Sequence, residues 1–212
     1  MAEENSNKMI TIALAVIICI AAIALLYVNL PANDTNDNTD NNTNDGNESE
    51  EPPVLLTVTY NDSENEYTLE ELESYTSTTG TARKLKASPF FSSGTIIISP
   101  EMNETAEQYT GIKISTILAD VTNLPETYNV TISAPDGYSK TLSKSEINGE
   151  ITTYNETGNE TDLEVSVILA YKENGEYLSE DSPLKIAIIG DEEPISLSNI
   201  WVSDVVLLEI TE

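Results

Sequence analysis

Few side chains in this chain are suited to acid–base, nucleophilic or metal chemistry. The 212 residues include no histidine, which excludes Ser-His-Asp and Cys-His catalysis and the usual histidine-containing zinc, haem and copper sites. The single cysteine, Cys19, lies within an apolar run near the amino terminus. The remaining chain therefore has no disulfide, no thiolate nucleophile and no cysteine metal ligand. We predict no catalytic residue and no metal site.

Cationic side chains are the remaining candidates for a binding site. Arg83, Lys84 and Lys86 form a local basic cluster, and Lys185 follows much later in an apolar stretch. These four are weak anion-site candidates; the alternative is that they are charged residues on the solvent face of strands. The Ser-x-x-Lys spacing that ends at Lys185 is expected about once by chance at this composition, so we reject a serine–lysine dyad. No spacing selects a pair of carboxylates for glycoside hydrolysis.

The net charge of −28 restricts the possible partners. A nucleic-acid-binding protein must neutralise phosphates, so this charge excludes nucleic acid as a partner. It also disfavours docking on anionic lipid, whereas it favours solubility and self-repulsion at a crowded surface. The Asp/Asn-rich stretch before Gly46 does not form an EF-hand loop. Thr43 occupies a position that needs an acid or an amide, and Pro52 occupies the position that needs a glutamate.

The chain contains eight N-x-S/T sequons, about twice the number expected by chance from its Asn, Ser and Thr content. They are candidate N-glycosylation sites on an external protein, although an Asn/Thr-rich composition alone is the alternative explanation. Their asparagines are Asn33, Asn41, Asn47, Asn61, Asn103, Asn129, Asn155 and Asn159.

Residues 10–30 form an uncharged apolar stretch. As a helix it would be roughly 31 Å long, which matches the hydrocarbon core of a bilayer. A cleaved signal peptide is the alternative, but its apolar region is normally shorter and ends in small residues. Lys8 precedes the stretch and no basic residue follows it until Arg83, so we predict that residues 1–9 are cytoplasmic and the carboxyl-terminal part is outside.

Residues 31–53 form an acidic Asn/Asp/Thr-rich segment that we term the stalk. Its apolar content is too low to offset the entropy lost on ordering, so we predict disorder and an r.m.s. span of roughly 25 Å. The predicted organisation is thus a tail, a membrane anchor, a stalk and a folded extracytoplasmic domain over 54–212.

Patterns within 54–212 predict an α+β fold, with a mainly antiparallel or mixed sheet and two or three short helices. Two strands are predicted from alternating inward-facing residues, Leu56/Val58/Tyr60 and Tyr128/Val130/Ile132/Ala134. The other predicted strands are 83–87, 95–99, 138–142, 165–171, 184–189 and 205–210. The stretch 165–171 is almost continuously apolar, which predicts a central strand buried on both faces. Asp136-Gly137 predicts the turn of a hairpin.

Three patterns predict the helices. Thr68-Leu-Glu-Glu71 and Ser143-Lys-Ser-Glu146 have the spacing of capping boxes. Ile114, Ile117, Leu118 and Val121 have the helical spacing of a core-facing stripe, and Pro125 is expected to end that helix.

Five segments, in order, resemble the molybdopterin-binding domain of the sulfite oxidase family. In that family TGVPLSxLL leads into a helix, DGY opens a hairpin, and LAYxxNGxPLxxxxGxPLRL precedes a closing KWVxxIxV. The corresponding segments here are TVTYNDSENEYTLEELESY, YTGIKISTILADV, YNVTISAPDGYSKTLSKSEI, VILAYKENGEYLSEDSPLKIAII and IWVSDVVLLEI. The resemblance implies that family's fold over nearly all of 54–212.

Departures from the family pattern decide what function the resemblance implies. Active members hold molybdenum through a cysteine thiolate, but the matching segment TARKLKASPFF has none. Lys185 replaces the arginine of PLRL, Ser182 replaces the preceding glycine, and the family's nearby histidine is missing. Trp201 matches the tryptophan of the closing motif, where a core position is expected. We therefore predict that no cofactor is bound.

Three functions remain open at this point. The first is a surface-tethered, cofactor-free relative of the molybdopterin domain that serves in binding or envelope structure. The second is a molybdopterin-dependent oxidoreductase with non-cysteine ligation, which would need Arg83, Lys84, Lys86 and Lys185 to line one pocket. The third is an unrelated adhesion domain such as a β-sandwich, although a plain sandwich has little need for two capped helices.

Overall fold

The computed structural model describes residues 51–85, 90–92, 95–97 and 105–212. Residues 51–212 are assigned to one compact unit. The predicted span 10–30, most of the stalk, Lys86, and the sequons at Asn33, Asn41, Asn47 and Asn103 lie outside the described residues. Among the described residues, no helix is both long enough and apolar enough to cross a membrane.

The first sheet contains five strands in the order β2-β1-β15-β7-β8. Its strands are β1 (Val54–Tyr60), β2 (Ser63–Thr68), β7 (Asn129–Ser133), β8 (Ser139–Ser143) and β15 (Leu207–Thr211). β1 and β15 are parallel, while the other neighbours are antiparallel. The last strand of the described chain therefore lies at the centre of this sheet. Alternating residues of β1 and β7 point into the core, as the sequence predicts.

The second sheet is larger and follows the order β10-β9-β14-β3-β6-β11-β12, with β13 also paired to β11. Its strands are β3 (Thr78–Leu85), β6 (Glu107–Lys113), β9 (Thr153–Tyr154), β10 (Glu160–Thr161), β11 (Ser166–Glu173), β12 (Glu176–Tyr177), β13 (Lys185–Ile189) and β14 (Ile195–Leu197). β14 pairs with β3 in parallel. A separate hairpin joins β4 (Phe90–Ser92) and β5 (Thr95–Ile97).

Three short α-helices occur among the described residues: α1 (Leu69–Ser74), α2 (Ile114–Leu118) and α3 (Lys144–Ile147). Thr68 and Glu71 form the predicted capping box of α1, and Ser143 and Glu146 form that of α3. A 3₁₀ turn, η1 (Ser198–Ile200), precedes the last strand. Mixed sheets with three short helices confirm the predicted α+β class.

Strand β11 of the larger sheet is paired on both sides, with β6 and with β13. Its residues from Val167 to Tyr171 are all buried, which confirms the strand predicted to be covered on both faces. The pairing with β6 shifts between Ala170 and Lys172, so Tyr171 is an extra residue in β11. Such a β-bulge changes which later side chains face a given neighbour.

Several predicted boundaries were wrong. The strand predicted from Arg83 begins five residues earlier, at Thr78. The helix predicted to run through Val121 ends at Leu118, because the following amides bond to carbonyls three residues back. Its four stripe residues are nevertheless buried. The final strand begins at Leu207 rather than Val205.

The close approach of β6 and β11 generates a prediction at Gly111. A Cβ atom at this position would overlap the Leu169 carbonyl oxygen and lie 2.5 Å from the Ala170 Cα. Because both obstacles are backbone, Gly111→Ala should force the two strands apart and lower the free energy of unfolding by about 3 kcal/mol. Chemical denaturation would measure this loss.

Gly137→Ala is the matched control. Gly137 has a φ of 88°, but a Cβ atom there would meet nothing within 4 Å. Gly137→Ala should lower the free energy of unfolding by about 1 kcal/mol, through backbone conformation alone. A Gly111→Ala protein that is no less stable than Gly137→Ala would contradict the proposed strand contact.

Candidate functional site

The larger sheet gathers several polar and aromatic side chains around one tryptophan. We call this group the Trp201 cluster; its members are Lys84, Tyr109, Glu173, Lys185, Ser196 and Trp201. It contains two of the four anion-site candidates, Lys84 and Lys185. The cluster is thus the place where an anion site would have to be built from the described residues.

Strand register brings the polar members together. Glu173 of β11 is paired with Tyr109 of β6, and Lys185 of β13 is paired with Ala170 of β11. If the register of Ala170 with Gly111 continued without the bulge, Tyr171 would pair with Thr110 and Lys172 would lie opposite Tyr109. The bulge therefore decides that a carboxylate, not an ammonium group, lies beside the Tyr109 hydroxyl.

Glu173 binds both of its neighbours. The Tyr109 hydroxyl donates to Glu173 Oε1 at 2.7 Å, and the Lys185 ammonium group donates to Glu173 Oε2 at 3.2 Å. The Lys185 side chain is 20% exposed, and its nitrogen lies 5.4 Å from the centroid of the Tyr109 ring. The Lys185 charge is thus balanced by a carboxylate of this chain and an aromatic face.

Trp201 is a core residue, as the sequence indicates. It is 5% exposed, and its indole N–H donates to the buried Ser196 Oγ at 2.8 Å. Its ring meets that of Tyr109 edge-on, with centroids 5.4 Å apart. This hydrogen bond satisfies the one polar atom of a large apolar side chain.

Arg83 and Lys84 do not share a site. They are consecutive residues of β3, so their side chains leave opposite faces of the strand. The Lys84 nitrogen lies 5.9 Å from the centroid of the Trp201 ring. Arg83 instead pairs with Glu156 at 2.8 Å and with Glu193 at 2.7 Å.

The two carboxylates define the electrostatic state of Arg83. Hydrogen bonds to Glu193 and then Glu156 raise the pKa of the guanidinium above its already high value, so it stays charged. Its Nε atom is buried and has no hydrogen-bond partner among the described residues, and an external anion cannot reach this donor without rearrangement of the chain. Exposed ion pairs of this kind contribute little to the stability of the fold, but they neutralise the Arg83 guanidinium.

A surface recess with a volume of about 410 Å³ lies beside α3 and contains another lysine. Lys144 there donates to the Glu126 carbonyl oxygen at 2.9 Å, and its nitrogen lies 5.4 Å from the centroid of the Tyr128 ring. No group of three or more acidic or cysteine side chains in the described part of the chain could hold a metal ion.

Sequence reasoning missed the carboxylates that bind the candidate cations. Glu173 precedes its partner Lys185 by 12 residues, whereas Glu156 and Glu193 follow Arg83 by 73 and 110 residues. No local pattern joins residues so far apart, and the pairing of Glu173 depends on a bulge without a sequence signature. Lys86 lies outside the described residues.

No family model and no curated protein sequence matches this chain. Among solved structures, the sulfane dehydrogenase SoxCD from Paracoccus pantotrophus matches with a TM-score of 0.49 and 19% sequence identity. The match covers 73% of this chain and 37% of that chain, so this chain spans well under half its length.

The double contact of Glu173 generates a prediction. Glu173→Gln should keep an acceptor for the Tyr109 hydroxyl but leave the half-buried Lys185 charge without a counter-charge. We expect the free energy of unfolding to fall by about 1–2 kcal/mol in chemical denaturation.

Glu66→Gln provides a control on the other sheet, because Glu66 is exposed and makes no hydrogen bond or ion pair among the described residues. It should change stability by less than about 0.5 kcal/mol. Equal effects of the two substitutions would show that Glu173 does not hold the cluster together.

Proposed function

We propose that this chain is a membrane-tethered extracytoplasmic domain that serves in binding or envelope structure and carries no molybdopterin. In this proposal residues 10–30 anchor the chain with its amino terminus inside, and the stalk separates the folded domain from the bilayer. The sequence resemblance to a molybdopterin domain then describes ancestry of fold rather than a retained redox activity.

The carrying observation is that carboxylates of this chain pair with Arg83 and Lys185, two of its four candidate cations. The pterin cofactor is anionic, so a site for it needs positive groups that are free to face a phosphate. Lys185 is paired with Glu173, and Arg83 is paired with Glu156 and Glu193. The described residues therefore do not fit this cofactor.

Two further features support the proposal. The sole cysteine, Cys19, is within the apolar segment rather than in the segment that matches the family's metal-binding strand. The net charge of −28 would also oppose an anionic cofactor at long range. Both features instead suit a soluble domain held at a crowded surface.

Cofactor content tests the proposal. The full chain would be produced in a host that makes molybdopterin, purified in detergent, and analysed for molybdenum and for pterin fluorescence. We expect both to stay near background, because the Lys185 and Arg83 charges are already paired. Lys185→Gln should leave this background unchanged, as should Lys140→Gln on the other sheet.

Near-stoichiometric molybdenum would overturn the proposal and support a redox enzyme with unusual ligation. In that case Lys185→Gln should lower the molybdenum content, whereas Lys140→Gln should not. This pair of variants therefore distinguishes a specific cofactor from adsorbed metal.

Membrane orientation can be tested with cysteine labelling, since the single native cysteine lies in the predicted span. Glu176→Cys introduces a thiol at an exposed hairpin position, and Glu4→Cys introduces one in the amino-terminal tail. A membrane-impermeant maleimide applied to intact cells should label Glu176→Cys, while Glu4→Cys should react only after permeabilisation. The reverse pattern would show that the domain is cytoplasmic.

A further inference from the structure

We propose that Asn61 and Asn155 are N-glycan attachment sites of the folded domain, whereas Asn129 and Asn159 are sequons that folding makes inaccessible. The inference rests on the extracytoplasmic location proposed above. It goes beyond the sequence pattern, because all four positions satisfy N-x-S/T equally well.

The chemistry of transfer defines what an acceptor must offer. A bond forms between the asparagine Nδ2 and the anomeric carbon of a lipid-linked oligosaccharide, and the bond from that carbon to the lipid pyrophosphate breaks. The pyrophosphate leaves on the lipid, and the amide proton passes to a base of the transferase. Since the motif demands a hydroxyl two residues after the asparagine, the enzyme must reach both the amide nitrogen and that hydroxyl.

Asn155 meets this requirement. It is exposed and opens the loop between β9 and β10. Its Oδ1 accepts hydrogen bonds from the Thr157 N–H at 3.0 Å, the Thr157 hydroxyl at 2.7 Å and the Asn159 N–H at 3.1 Å. The amide oxygen is therefore held by the loop while Nδ2 has no partner among the described residues. The Thr157 hydroxyl is hydrogen-bonded to Asn155 Oδ1 and Asn159 Nδ2, but both of these partners belong to exposed residues. Asn155, Glu156 and Thr157, the whole sequon, are exposed.

Asn61 meets the requirement in a different way. It begins the two-residue turn between β1 and β2 with a φ of 53°, and Asn61, Asp62 and Ser63 are all exposed. Within the described chain neither its side-chain amide nor the Ser63 hydroxyl makes a hydrogen bond. A turn tip of this kind presents both groups to solvent without the loss of any interstrand bond.

Asn129 fails because its sequon is part of a central strand. β7 lies between β15 and β8, where Asn129 is paired with Thr211 and Ser143. The sequon hydroxyl, on Thr131, is 2.9 Å from the Thr141 hydroxyl across the sheet. Asn129 and Thr131 are partly exposed, but both neighbouring strands hold their backbone. A transferase could therefore enclose this sequon only after β7 separated from its neighbours, which requires local unfolding.

Asn159 fails because its amide nitrogen is engaged and its sequon hydroxyl is bonded to a buried residue. Its Nδ2 donates to the Thr157 hydroxyl at 2.8 Å. Its sequon hydroxyl, on Thr161, is 2.6 Å from the hydroxyl of Thr153, which is fully buried. Asn155 and Asn159 therefore belong to one loop, but the loop is hydrogen-bonded to the amide oxygen of Asn155 and to the amide nitrogen of Asn159.

The test is acceptor mapping on the purified protein. The folded full-length chain in detergent and synthetic peptides spanning the four sequons would each be incubated with a single-subunit oligosaccharyltransferase and its lipid-linked oligosaccharide. Mass spectrometry of the resulting glycopeptides gives a folded-to-peptide rate ratio for each site. Division by the peptide rate removes the intrinsic preference of the enzyme for one sequon over another.

We expect this ratio to be at least about tenfold higher for Asn61 and Asn155 than for Asn129 and Asn159, since the latter need an opening of the sheet or loop. Asn61→Gln and Asn155→Gln should each remove one glycan, while Asn129→Gln and Asn159→Gln should remove none. Similar ratios at all four sites, or a higher ratio at Asn129 or Asn159, would overturn the inference. Neither outcome depends on membrane orientation or cofactor content, so failure here is distinguishable from failure of the proposed function.

Discussion

The backbone contact between β6 and β11 determines much of this structure. Gly111 lets the two strands approach in the middle of the larger sheet, directly before the extra residue Tyr171 shifts their register. Because side chains alternate between faces, this one-residue shift places Glu173 opposite Tyr109. The contacts of the Trp201 cluster, and the pairing of Lys185 within it, follow from that placement.

The same sheet explains why neighbouring cations in the sequence do not form a common site. β3 directs Lys84 towards Trp201 and Arg83 towards loops that carry Glu156 and Glu193. With acidic residues in large excess, Arg83, Lys84, Lys172 and Lys185 of the larger sheet each lie beside a carboxylate or an aromatic face of the domain. The chain thus uses its scarce positive charge to join its own loops and strands, which leaves a surface dominated by acidic and neutral polar groups.

Local signals in the sequence predicted the three helices and eight of the fifteen strands of the described residues, but not the strand pairing. The capping boxes at Thr68 and Ser143 and the alternation in β1 and β7 are short-range patterns, and each was confirmed. The missed strands β10 and β12 lack such patterns because none of their residues is buried, and β9, although buried, is only two residues long. The bulge at Tyr171 and the partners of Arg83 arise from tertiary contacts, so no window of sequence contains the information that would predict them.

The parallel pairing of β1 with β15 has a mechanical consequence. Because the two strands run in the same direction, the beginning of β1 and the end of β15 lie at opposite ends of their shared ladder. A pulling force applied between these points acts along the strands and loads all of their hydrogen bonds in shear at the same time. Such a geometry resists extension far better than one in which bonds open one after another, so the pairing of the first and last described strands is suited to carry tension.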